Sequence, residues 1–271
     1  MTQKIHPTAI ISKTAKLGLN VEVGPYSIIG DEVKIGDGTI IKSHVVIEGD
    51  TEIGKNNVIF PFAAIGLEPQ DLKFKGEKSK IIIGDNNKIR EHVTIHLGTQ
   101  DGAMLTKIGN NCLFMVASHI AHDCVIGDGV ILANNATLAG HVVVGDNVVI
   151  GGLSAVHQFV RIGKGVMIGG MSGVEHDVIP YGLVMGERAS LAGLNIVGMK
   201  RNNISREDIH ALRNFFKKLF VSDDKSFAIR VDEISKEFDS ATVLEVASFV
   251  KAEGARGAFC QPKQNSHYGD E

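Results

Sequence analysis

No tryptophan occurs among the 271 residues, and aromatic side chains make up only 6% of them. A core of interlocking rings is therefore excluded, although 44% hydrophobic content still provides for a substantial core. Cysteine is equally scarce. Cys112, Cys124 and Cys260 are an odd set without paired spacing, which excludes a disulfide framework and reads as reduced thiols in a cytoplasmic protein. The formal charge of −3 offers no basic surplus for general nucleic-acid binding. No apolar run approaches the ~18 residues of a membrane-spanning helix, so no transmembrane segment is expected. Met1-Thr2-Gln3-Lys4 enters a repeat at once, which fits no signal peptide.

What the chain has is a beat of six. A hydrophobic residue falls at every sixth position from Ile5 to Ile65, again at Ile83, Ile89 and Ile95, and then from Ile108 to Val174 with Phe114 the one ring among aliphatics. Six matches neither a helical turn nor a simple strand alternation. It suits a triangular coil of three short strands, with residues about 18 apart stacked one above another. The first residue of each hexad is expected to fill the axis. The Gly that often follows it is expected to supply the backbone angles of a tight corner. Pairs such as Asp37-Gly38, Asp128-Gly129 and Asn110-Asn111 fit that turn chemistry. Nine or ten coils at ~4.8 Å make a column of about 45 Å.

The beat fails between Gly66 and Lys80 and again between Gln100 and Lys107, so loops are expected at 66–80 and 100–107 on a β-helix occupying 1–185. Gln70, Asp71 and Lys73 make the first loop a polar set suited to a sugar and a phosphate. The second loop reads as a tolerated insertion. After Pro180 the pattern becomes helical. Ser205 precedes an acidic first turn, and Ile209, Leu212, Phe215, Phe216, Leu219 and Phe220 follow at helical spacing. Amphipathic stretches about Phe227–Phe238 and Thr242–Ala252 complete a small helical domain over 186–260. Residues 261–271 read as a flexible tail.

A filled prism has no internal cavity, so chemistry belongs on its surface, where histidine titrates near neutral pH. In Ser118-His119-Ile120-Ala121-His122-Asp123, Ile120 points inward and both histidines point out. His141 follows His122 about one coil later, and His157 one coil later again, so four histidines are expected along one edge. An acid–base site is one reading. A zinc site with an open position for water, as in the trimeric hexapeptide-repeat carbonic anhydrases, is the other. His92 and His96 are a weaker metal pair, because they fall on different corner and strand positions.

HIAHDC (His119–Cys124), ILANNATLAGHV (Ile131–Val142), AVHQF (Ala155–Phe159), QDLKF (Gln70–Phe74) and GLNIVGMKR (Gly193–Arg201) together resemble the acyl-ACP–UDP-N-acetylglucosamine O-acyltransferases of lipid A biosynthesis. The resemblance covers about residues 5–220. It implies a left-handed parallel β-helix followed by a small α-helical domain, and a cytoplasmic homotrimer with active sites between subunits. It also implies transfer of an (R)-3-hydroxyacyl group from acyl carrier protein to the 3-hydroxyl of UDP-N-acetylglucosamine, without metal or diffusible cofactor and without an acyl-enzyme. By position, His122 matches the general base, Asp123 the residue orienting it, and Gly140 the oxyanion donor. Gln70, Asp71, Lys73, His119, His141, His157, Gln158, Asn195 and Arg201 match substrate contacts, and Gly170 matches the residue that measures the acyl chain. Glycine there leaves the groove open to a long chain, while Arg188 near its far end argues for a shorter one. The related N-acyltransferases carry a domain before the prism, whereas here the prism begins at residue 5. Two positions depart from the pattern: Val197 stands where Glu is frequent, and Asn202 where a second Arg is frequent. A 3-amino analogue of the sugar, giving an amide, stays open as acceptor.

Overall fold

The computed structural model describes residues 4–220, 225–252 and 254–263. Of the expected tail at 261–271, residues 264–271 lie outside this set. Strands mostly two residues long, beginning with Lys4–Ile5, Ile10–Ile11 and Lys16–Leu17, are laid down in turn on three faces. Every third strand joins the same sheet, which gives sheets of 11, 9 and 8 strands around one axis, parallel throughout except for the last strand of the first. We call these the first, second and third faces. The inward residues Ile29, Ile47, Ile65, Ile95, Ile120, Leu138 and Val156 are at most 2% exposed. At the open end of the column the inward Ile5 is 43% exposed.

Glycine at the corners does a different job from the one its position suggests. The left-handed φ angles fall three residues after the inward side chain, and mostly on other residues: Asn20, Tyr26, His44, Phe62, Asp123, His141 and Phe159. Apart from Gly66 (φ +81), the glycines directly after the inward residue have ordinary φ and are needed for space. A Cβ on Gly24 would stand 2.7 Å from the Lys42 carbonyl carbon, and one on Gly36 would stand 2.6 Å from that of Gly54. Coils hydrogen-bonded at strand spacing leave no room for a side chain at that point.

The edge between the third and first faces carries a buried side-chain ladder. Thr39 Oγ1 accepts from the Asn57 N–H (3.1 Å), Asn57 Oδ1 from that of Asn87 (2.8 Å), and Asn87 Oδ1 from that of Cys112 (2.7 Å). These amides satisfy main-chain donors that the corner would otherwise orphan. The ladder runs past both breaks in the repeat without interruption. Ile35 pairs with Ile53 at the regular separation, whereas Ile53 pairs with Ile83 and Ile83 with Ile108. The extra residues leave the column elsewhere.

The first face ends with Gly182–Met185, parallel to Met167–Ile168, and Ser190–Leu194, antiparallel to Gly182–Met185. Four helices follow: α1 (Ile196–Arg201), α2 (Arg206–Leu219), α3 (Phe227–Ser235) and α4 (Ala241–Lys251). Ser205 caps α2 by accepting from the Asp208 N–H (3.0 Å). Ile209, Leu212, Phe215, Phe216 and Leu219 form its buried stripe. Prism and helices are tied by Arg161, whose Nη1 donates to the Phe249 and Ala252 carbonyls at the end of α4 (3.3 and 2.8 Å), and by the Tyr181 hydroxyl on Glu245. No helix among the described residues is long and apolar enough to cross a membrane.

Candidate active site

Both loops leave the prism on one edge, between the second and third faces. The first connects strands Ala64–Leu67 and Lys80–Ile83, and the second connects Thr94–His96 and Leu105–Ile108. One coil later the same edge holds His122 and Asp123, and one coil beyond that His141. The His141 N–H donates to the His122 carbonyl at 3.0 Å, and the two rings meet edge to face with centroids 5.0 Å apart.

The pair at the centre is tightly specified. His122 Nδ1 lies 2.9 Å from Asp123 Oδ2, with the His side chain 13% and the Asp side chain 1% exposed. The second loop closes over the carboxylate. Thr99 donates its N–H to both oxygens (3.2 and 2.9 Å) and its hydroxyl to Oδ2 (2.6 Å). A Cβ on Gly102 would stand 2.2 Å from Asp123 Cγ, so only glycine lets the loop pass there. Burial alone would raise the Asp123 pKa. The hydrogen bonds from His122 and Thr99 outweigh it and hold the carboxyl below the usual range. An ionised carboxylate only accepts, so Nδ1 carries the proton and the lone pair of His122 sits on Nε2. That nitrogen lies over Gly140: a Cβ there would be 2.6 Å from Nε2 and 2.5 Å from Cε1. Among the described residues no acceptor engages the Gly140 N–H.

The reading of the second loop as a tolerated insertion is therefore wrong. It supplies Thr99 to Asp123, and Asp101 to Lys73 (2.8 Å). The first loop thereby reaches the same edge, and both Asp71 and Asp101 bear electrostatically on His141.

Other histidines surround the pair. His119 Nδ1 is 2.7 Å from Thr94 Oγ1, and its ring meets His96 edge to face at 4.9 Å. His96 is 5% exposed with Nδ1 unpartnered among the described residues. Burial, together with charge on His119 and His122, pulls its pKa down to about 4. Burial also lowers those of His119 and His141. Unfolded histidine titrates near ~6.5, so below that pH the unfolded chain binds more protons and stability falls as pH falls. His96 alone is expected to withdraw up to about 3 kcal/mol between pH ~6.5 and about 4. Urea melts across this window should fall less steeply for His96→Gln. An equally steep fall would remove His96 from the account.

The remaining residues are more dispersed. Gln70 and His96 line a cleft of about 650 Å³ beneath the first loop. A cavity of about 690 Å³ lies on the first face among Ile5, Pro7, Pro25 and Phe60, away from these histidines. His157 does not extend the histidine row. Phe159 occupies the place one coil beyond His141, its ring stacked at 4.4 Å, while His157 Nδ1 lies 3.1 Å from Arg256 Nη1. Gln158 is exposed beside it. Asn195 is committed to the N-terminus of α1, accepting from the Gly198 N–H and donating to the Gly165 carbonyl (both 2.9 Å). Arg201 is exposed at the last turn of α1. Gly170 sits at the other edge of the second face, in a turn where an added Cβ would meet only Gly152, at 3.3 Å from its carbonyl oxygen. His92 and His96 stand at opposite ends of one strand, with His92 stacked on Phe62 at 5.1 Å.

Comparison with known proteins agrees with this architecture. Residues 14–49 and 105–140 match the bacterial transferase hexapeptide family, and residues 177–259 match the second domain of the UDP-N-acetylglucosamine O-acyltransferases. A curated acyl-[acyl-carrier-protein]–UDP-N-acetylglucosamine O-acyltransferase from Rickettsia canadensis is 51% identical over 257 residues, covering 94% of this chain and 97% of its own. One from Rickettsia bellii is 53% identical, covering 94% and 91%. The chain belongs to the UDP-N-acetylglucosamine O-acyltransferase family. A crystal structure of a UDP-N-acetylglucosamine acyltransferase superposes with a TM-score of 0.91 at 45% identity, over 96% of this chain and all of that one. The enzyme from Campylobacter jejuni gives 0.89 at 39%, with the same coverage.

In this member of the O-acyltransferase family, four residues that pack against these side chains were not revealed by the hexad pattern: Thr99, Gly102, Thr94 and Arg256. Thr99 stands one residue before the expected break and Gly102 within it, and the small polar residues and glycine there were the available signal. Thr94 is an outward strand residue, visible only once His119 is known to stand above it. Arg256 comes from far along the chain and has no local signal at all. His122, Asp123 and His141 also offer ligand atoms within 4.8 Å of one another, but both carboxylate oxygens of Asp123 are already taken by Thr99 and His122.

Proposed function

We propose that the edge around His122 transfers an (R)-3-hydroxyacyl group from acyl carrier protein to the 3-hydroxyl of UDP-N-acetylglucosamine, the first step of lipid A biosynthesis. The observation that carries the mechanism is the locked His122–Asp123 pair, which leaves Nε2 as the one basic nitrogen of that ring. A sugar hydroxyl is a weak nucleophile at neutral pH. His122 Nε2 takes its proton as the oxygen attacks the thioester carbonyl. Asp123 holds the Nδ1 proton and stabilises the imidazolium, as in a Ser-His-Asp arrangement. The Gly140 N–H receives the charge developing on the carbonyl oxygen. Collapse forms the ester and expels the phosphopantetheine thiolate, which takes back the proton from His122. Cys112 and Cys124 are buried, and burial pushes their thiols up to about 11 and about 12, so neither supports an acyl-enzyme.

Gln70, Asp71 and Lys73 contact the sugar and diphosphate in this reading, His119 and His141 lie at the glucosamine, His157 and Gln158 lie further along the cleft, and Asn195 and Arg201 meet the UDP portion. Gly170 ends the acyl groove across the second face. It lies three coils from His122, about 14 Å along the axis at strand spacing. The tip of the first loop supports a homotrimer: Leu72 is fully exposed, a large apolar side chain that a neighbouring subunit would cover. We infer a cytoplasmic location for the assembly.

The test is a product assay with 3-hydroxyacyl-ACPs of graded length and UDP-N-acetylglucosamine or its 3-amino analogue, run with and without a chelator. We expect an ester on the natural sugar, preference for a long chain, and no effect of chelation. Loss of activity on chelation would favour a metal at His122, Asp123 and His141. A sharp preference for short chains would remove the role assigned to Gly170.

A further inference from the structure

The chain after α4 returns along the last coil. The Asp177 N–H donates to the Ala258 carbonyl (3.0 Å), that of Cys260 to Asp177 (2.8 Å) and that of Leu191 to Gln261 (3.0 Å). The return is anchored by a buried charge. Arg161, paired with Asp177, also donates to the Ala252 carbonyl at 2.8 Å and lies 4.8 Å above the Phe249 ring. A Cβ on Gly254 would stand 2.5 Å from Arg161 Nε, so the strap passes there as bare backbone. The next turn delivers Arg256 to the second face, where its Nε donates to the Glu175 carbonyl (3.0 Å) and its Nη1 lies 3.1 Å from His157 Nδ1.

We propose that Arg256 is a positioning residue of the cleft: it fixes His157 in the tautomer that carries its proton on Nε2. The argument is one of donors and acceptors. A guanidinium has five N–H groups and no acceptor, and it stays charged at any working pH. Nδ1 must then accept, and the proton of the neutral ring sits on Nε2. Nδ1 is also 3.2 Å from the Gln158 carbonyl, a contact that requires a proton on Nδ1. One nitrogen cannot serve both. The charge-assisted bond is the stronger and decides the tautomer. His157 thus presents an N–H donor, with a cation behind it, to the part of the cleft further along from His122. The inference rests on that reading of His157 for its functional meaning, though not for the tautomer itself.

Nitrogen-15 NMR of the His157 ring reads the tautomer without substrate. In the full-length protein Nε2 should carry the proton, and in Arg256→Met the two nitrogens should exchange roles or average. Kinetically, Arg256→Met should raise KM for UDP-N-acetylglucosamine about tenfold, the worth of one charge-assisted bond, with kcat changed less than about twofold. Arg256→Lys, which keeps the charge and one donor, should recover part of the loss. Arg256→Met should add nothing to His157→Ala. An Nε2–H tautomer that persists in Arg256→Met, or an equal KM penalty with and without His157, would overturn the proposal. Should the wild type prove inactive on this substrate, the proposed function fails while the NMR result still decides the role of Arg256. Should Arg256→Met lose the fold, Arg256→Ala takes its place in both readings, and a wild-type ring that carries its proton on Nδ1 overturns the proposal by itself.

Discussion

His122→Ala is expected to lower kcat/KM for acyl transfer by about 10²–10⁴-fold, the range a positioned general base supplies, while the protein keeps its fold. The second half of that expectation follows from the surroundings. Asp123 would lose one partner but keep the Thr99 amide and hydroxyl, so the buried carboxylate stays satisfied. The imidazole is a surface layer on the prism, and the inward Ile120 is untouched. Removing it leaves the hexad core intact. A folded His122→Ala protein that retained a third or more of wild-type turnover would remove His122 from the chemistry. Activity returned by added imidazole would instead confirm what the side chain supplies.

Gly140→Ala is expected to cost about 10²-fold in kcat, the scale of a misplacement of about 1 Å at a catalytic group. The new methyl would overlap the His122 ring at 2.5 Å from Cε1. The backbone at Gly140 has ordinary φ, so strain is not the reason. The ring must swing, and it is tethered at Nδ1 to Asp123. Nε2 then moves away from the Gly140 amide, and base and oxyanion donor are displaced together. A double-mutant cycle separates this from a general packing effect. In the His122→Ala background there is no ring to strike, so Gly140→Ala should add little. Additive losses would mean that Gly140 acts by itself, through its amide or the corner.

The column was legible from sequence because its rule is simple. One inward aliphatic every six residues survives any choice of outward side chain, so Ile5 to Ile65 and Ile108 to Val174 announce three faces and an axis. The edge holding His122, Asp123 and His141 was legible for the same reason, since position along the hexad dictates inward or outward. Where the rule was silent, reading stopped. Corner glycines were assigned to φ, but only the next coil lying against them shows that space is the constraint. His157 was placed in the histidine row, yet stacking is by identical hexad position, and that position belongs to Phe159. Thr99 and Arg256 act across breaks and across the whole helical domain, where a period of six carries no information.

The corner ladder has a consequence for how the column tolerates insertion. Thr39, Asn57, Asn87 and Cys112 bind coil to coil along one edge without a gap, while both insertions emerge along another edge. Such a prism works as a cassette: one seam is stitched and another is open to new sequence. Lengthening either loop should leave the stitched seam undisturbed, because main-chain donors there are met by side chains that do not change register. New sequence at the open seam emerges beside the histidines, so graft experiments that aim to change the acceptor have their natural entry point there.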